Sequence, residues 1–140
     1  SMHFTLARIH EAEGEPQQAA AEYLKEIEVT PEDVGSHFNL AMIYRVAGRV
    51  ADEERELRRV LEINPEHPRG LLFMARIYLN RGENYARAVE MVTAAVAKPL
   101  ENQDLVLGYF LLADLHNRLG DPVKSREYAA KAQSLVSRWP

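Results

Sequence analysis

The chain has 140 residues, the size of one domain, and its apolar fraction of 46% belongs to a folded protein, not a disordered one. A formal net charge of -4 offers no basic face for nucleic acid, and the absence of cysteine excludes a disulfide framework and a thiolate metal site. The longest strongly apolar stretch, Leu105 to Ala113, is too short to cross a bilayer, so no membrane insertion is expected.

Ser1-Met2 has the look of a tag remnant followed by a start residue, so the chain reads as a piece of a longer protein. The compartment stays open: cytoplasmic, or periplasmic where a signal or anchor has been removed. From there the chain is helical throughout. Ala, Leu, Glu and Arg abound, apolar residues recur at three and four, and no segment sustains period-two alternation. A first helix pair is expected at about 2–13 and 16–29, with Pro16 in the first turn of its helix, where a missing N–H costs nothing. The second pair falls at about 33–47 and 50–63 and is closed by Asn64-Pro65-Glu66-His67-Pro68, which no helix continues through. The third falls at about 68–80 and 84–97. The fourth falls at about 103–119 and 122–137, with Asp121 as N-cap before Pro122.

One pattern runs through these pairs four times. Leu6-Ala7, Leu40-Ala41, Met74-Ala75 and Leu112-Ala113 each lead, three residues later, to a ring: His10, Tyr44, Tyr78, His116. Four residues further stands a glycine: Gly14, Gly48, Gly82, Gly120. The first three copies are 34 residues apart and the last step is 38, with insertions around Gly82-Glu83-Asn84-Tyr85 and Lys98 to Gln103 that suggest a wider joint there. A period of 34 marks a stacked helix-turn-helix array. The alanine lets the second helix of a pair approach the first, and each pair must cover the next to bury its faces.

The motif His37-x-x-Leu40-Ala41-x-x-Tyr44-x-x-x-Gly48, with the helix ending Leu61-Glu62-Ile63-Asn64-Pro65, resembles the tetratricopeptide repeat family over nearly the whole chain. The departures are Glu26 and Glu53 at slots where alanine is usual, and His for Tyr in the first and fourth copies. The resemblance implies an all-α, right-handed α-solenoid of about four antiparallel helix pairs. It reads as one domain over 1–140, with repeats at about 1–33, 34–67, 68–101 and 102–138. It also implies a protein-interaction scaffold whose first helices line a concave groove.

Two rows of residues border that groove by resemblance. Phe4, Phe38, Leu72 and Phe110 would form an apolar strip, or else pack partly against the neighbouring first helix. Full burial of one such ring by a partner is worth roughly 1.5–3 kcal/mol. Arg8, Met42, Arg76 and Asp114, with Arg45, Asn80, Asn117 and Arg118, would supply polar handles. Arg8, Arg45, Arg76 and Arg118 outnumber Glu11 and Asp114, so a partner peptide with an acidic or C-terminal carboxylate feature is expected. Relatives that clamp chaperone tails use a set of which Asn39 matches one Asn and Arg69 can replace a Lys, but Phe4, Arg8 and Phe73 break the rest. The alternatives are a regulatory or targeting segment of a larger enzyme or secretion component, and a homodimer formed through the array ends.

Chemistry has little support. No His-x-x-x-His pair, zincin helix or phosphate loop is present, and the histidines fall at packing or turn positions. No catalytic residue, metal or cofactor is expected. The run Asp52-Glu53-Glu54-Arg55-Glu56 with Arg58-Arg59 reads as a solvated helix face.

Overall fold

The structure, a computed structural model, describes residues 2–138. These form eight helices and no strand: α1 (Met2–Ala12), α2 (Pro16–Val29), α3 (Val34–Val46), α4 (Val50–Ile63), α5 (Pro68–Arg81), α6 (Tyr85–Val96), α7 (Asn102–Arg118) and α8 (Pro122–Ser137). The all-α class and the four helix pairs expected from the repeat are thus present. Ser1, Trp139 and Pro140, at the ends of the expected domain, lie outside the described residues. The chain divides into two compact units, Ser1–Pro65 and Glu66–Pro140.

The turns explain where the helices stop. Gly14, Gly48, Gly82 and Gly120 all adopt φ between +74° and +81°. That left-handed conformation suits a residue without Cβ and reverses the chain after each first helix. Pro16, Pro68 and Pro122 stand in the first turns of α2, α5 and α8. Asp33 and Asp121 cap α3 and α8, accepting from the Ser36 and Lys124 amides.

In the first unit, Ala7 and Ala19 are fully buried where α1 meets α2 and share a core with Tyr23, Leu40 and Tyr44. The Phe4 ring meets the Tyr23 ring edge-on at 5.7 Å. In the second unit, α5 is the most deeply buried helix, and Leu72, Ala75, Ala88, Val92, Leu112 and Leu115 form its core with α6 and α7. The longer linker before α7 predicts a wider joint, but α7 closes tightly. A Cβ on Gly108 would stand 2.5 Å from Val96 Cγ1 and 3.3 Å from Leu72 Cδ2.

The acidic run on α4 is not wholly solvated. Its arginines do pair along the helix, Arg55 with Asp52 at 2.8 Å and Arg59 with Glu62 at 3.1 Å. Glu53 and Glu56, however, turn inward and are buried. Glu56 Oε1 lies 3.4 Å from His37 Nδ1, while His37 Nε2 lies 2.8 Å from the Pro31 carbonyl oxygen. A helical period places these glutamates on the inner face, whatever their charge.

His67 has a defined role: it caps α5, and its Nδ1 accepts from the Gly70 N–H at 2.9 Å. Burial of the ring, and secondarily the Arg69 charge, push its pKa below the ordinary value. The folded state therefore prefers neutral His67. The unfolded chain takes up the proton from about pH 6.5 downward, so the cap's contribution is present above that pH and is lost as pH falls through the lower folded value. In urea melts, His67→Asn, a cap that does not titrate, should lose up to about 1 kcal/mol less than the wild type between about pH 7.5 and 5.5. Gly108→Ala should lower stability by about 1–3 kcal/mol in the same assay despite its better helix propensity, because Val96 blocks the added methyl.

Candidate functional site

In the first unit, α1 and α3 carry Phe4, Arg8, Phe38, Asn39, Met42 and Arg45 from the two expected rows. Phe38 is only 4% exposed and belongs to the core. Phe4 is half-buried, and its ring lies 3.2 Å from where a Cβ on Gly35 of α3 would stand, so it fills the contact between two successive first helices. Arg8 is exposed, while Asn39, Met42 and Arg45 are half-buried.

Asn39 and Met42 line a cleft of about 580 Å³ at the end of α1, beside the turn into α2. Glu11, Pro16 and Gln17 form one wall and Ile43 and Val46 continue the other. Behind this wall, Oε1 of Glu11 and the Tyr23 hydroxyl are buried, and neither makes a hydrogen bond of good geometry. Asn39 and Glu11 stand beside that hydroxyl. Burial raises the pKa of the Tyr23 phenol strongly. The adjacent Glu11 carboxylate raises it further, while Arg8 and Asn39 act weakly the other way. The phenol thus keeps its proton and remains a donor.

In the second unit, Leu72 is fully buried. Its tip packs at the Gly108 backbone, which repeats the Phe4–Gly35 arrangement. Phe110, on α7, is 39% exposed. Asp114 and Arg118 follow it at one-turn steps on α7 and are exposed, and Arg76 on α5 is half-buried. Arg118 donates to the Tyr85 hydroxyl at 3.3 Å. Arg69 is drawn to Asp104 at 3.5 Å and lies over the Phe73 ring.

The expected rows therefore split. Phe38 and Leu72 are core, Phe4 wedges between helices, and Phe110 meets solvent. In the sequence Glu11 counts only as an offset to the arginines, yet it lines the cleft, and the Tyr23 hydroxyl stands beside it. The signal for Glu11 was its register, since it occupies the slot that Arg45 holds in the next repeat. At the same turn His10, Glu13 and Glu15 bring ligand-type atoms within 4.8 Å of one another, and a 3.0 Å hydrogen bond between His10 Nδ1 and Glu15 Oε2 joins two of them. On α1, Met2, Leu6 and Ile9 form an exposed apolar stripe at helical spacing.

The family model described as tetratricopeptide repeat matches residues 4–68 and 72–138. No curated protein matches the chain significantly by sequence. Among solved structures, MamA superposes with a TM-score of 0.78 at 14% identity, over 97% of this chain and 77% of that one. A tetratricopeptide repeat protein from Parabacteroides merdae gives 0.77 at 19% identity, over 97% of this chain but only 52% of its own length. PilW, a type IV pilus biogenesis factor, gives 0.63 at 16% identity, over 99% of this chain and 78% of that one. At these identities the likeness is one of fold.

The burial pattern separates core from surface within the phenylalanine row. Phe38→Ala should cost about 3–5 kcal/mol in chemical denaturation, whereas Phe110→Ala should cost well under half of that. Equal losses would place both rings in the core.

Proposed function

The chain belongs to the tetratricopeptide repeat family, and from that premise we propose that it holds a segment of a partner protein against the first-helix faces of its repeats. The fold is a protein-interaction scaffold, and the reading is of a binding module without chemistry of its own. One observation carries the finer statement: the cleft of about 580 Å³ in the first unit, into which α1 and α3 bring Asn39 and Met42. A concave site with apolar walls and a few converging polar groups is the form that small recognition sites take. Met42, Ile43 and Val46 supply apolar wall, and Glu11, Gln17 and Asn39 supply the polar groups.

The second unit supports the same reading more weakly. Phe110, Asp114 and Arg118 give α7 an exposed apolar group flanked by both signs of charge. Arg118 retains the fork geometry that suits a carboxylate.

Selection of random 12-residue peptides on immobilised protein tests the reading. Binders are expected, and Asn39→Ala with Met42→Ala should weaken them about tenfold or more while thermal melting stays near that of the wild type, since both side chains are only half-buried. Binders that tolerate those changes together with Phe110→Ala and Arg118→Ala would move the site away from the first helices. A selection that yields no binder would count against peptide capture itself.

A further inference from the structure

We propose that the first-unit cleft receives a cationic side chain, a lysine or arginine of the bound segment. This rests on the peptide-holding reading above and names its chemistry. The sequence arithmetic of the groove pointed to an acidic partner, but the local arrangement points the other way.

Glu11 lines the cleft; its Oε1 is sealed from solvent beside the Tyr23 hydroxyl, and no Lys or Arg forms an ion pair with the carboxylate among the described residues. A carboxylate drawn partly out of water normally has a positive partner or several donors. The positive charges nearby are otherwise placed: Arg45, in the equivalent slot on α3, has contacts of its own. Arg49, at the cleft's far edge, is paired with Asp52 at 2.6 Å and lies 4.7 Å from the Tyr44 ring centre. Arg8 is exposed on α1 and forms no described ion pair with Glu11. Between Arg8 and Lys25 the chain has no Lys or Arg, while Glu11, Glu13, Glu15 and Glu22 all fall in that stretch. The turn beside the cleft is therefore strongly acidic.

The rest of the cleft suits the stem of such a side chain. Lys and Arg lay three or four methylenes along apolar surface and keep only the head charged. Met42, Ile43 and Val46 offer that surface. The Tyr23 hydroxyl, held protonated, can donate to one lone pair of Glu11 but cannot neutralise its charge. A cation can do so, and Asn39 and Gln17 carry carbonyl oxygens able to accept from the remaining N–H groups. An acidic side chain in the same place would meet Glu11 with like charge.

The probes are Nα-acetyl-lysine methylamide and its uncharged counterpart Nα-acetyl-norleucine methylamide, titrated into ¹⁵N-labelled protein and followed through backbone amide shifts. The lysine probe should move the amides of Glu11, Gln17, Asn39 and Met42 saturably at low salt, and the norleucine probe should bind at least about fivefold more weakly. Glu11→Gln should remove the difference. Equal response to both probes, an unchanged lysine preference in Glu11→Gln, or no shift at those amides would overturn the proposal. Should Glu11→Gln lose its folded spectrum, the wild type decides alone, since a lysine preference that does not weaken in high salt would equally overturn it.

The two readings fail separately. Peptides selected on the wild type that bind Glu11→Gln as well would leave peptide capture standing and sink the cation site. A lysine-selective cleft on a protein that selects no peptide would do the reverse.

Discussion

Everything in this molecule depends on how closely two helices can approach across a short turn. At Ala7, Ala41 and Ala75 the first helix of a pair presents a side chain of one methyl, and each is fully buried. With a larger residue there the helices would separate and the larger core groups would lose their contacts, since interiors pack at crystal density. The turn glycines serve the same end. Their nearly constant φ returns the second helix along the same path in each repeat, at a conformation that costs other residues roughly 1–2 kcal/mol. Once that spacing is set, the remaining large side chains have one set of places to go.

The phenylalanine row shows the consequence. Phe4 fits against Gly35, and Leu72 against Gly108 and α6. A large residue on one first helix meets a glycine on the next, so the row acts as an interlock within each unit more than as a strip for a partner. Phe110 is exposed because, among the described residues, no further first helix presents a glycine to it. On the proposed reading, recognition falls to side chains around the row: Arg8, Asn39, Met42, Arg76, Asp114 and Arg118.

Much of this was legible in the sequence, for physical reasons that also mark where legibility stopped. The helix ends came within a residue of their observed places because proline, glycine and aspartate act on the backbone locally, as at Gly82, Pro122 and Asp121. The buried alanines followed from the repeat. Periodicity names a helix face but not what that face touches, so it could not decide whether Phe38 met solvent. The glycines at 35 and 108 held that information, because each marks the spot where a neighbour comes close. Charge misled in the same way at Glu53 and Glu56, whose inward direction is set by the helical period. Glu11 was hidden by averaging: summed with four arginines it vanishes, although its effect depends on what lies within a few ångströms.

That last point bears on how a repeat array achieves specificity at all. Identical repeats present identical rows, and a bound chain could then sit in several registers or in either direction with similar energy. Departures from the repeat remove that degeneracy. In the first unit, one slot carries Glu11 on α1 and Arg45 on α3. In the second, another slot carries Arg76 on α5 and Asp114 on α7. Each unit thus holds two opposite charges at equivalent positions of successive repeats. A partner with matching charges gains in one direction and meets like charge in the other, so discrimination comes from repulsion as much as from attraction. A partly buried carboxylate such as Glu11 weighs more in that choice than an exposed one, because less water screens it. The constant residues of the repeat build the frame, and the few that break the pattern are the ones able to choose a partner.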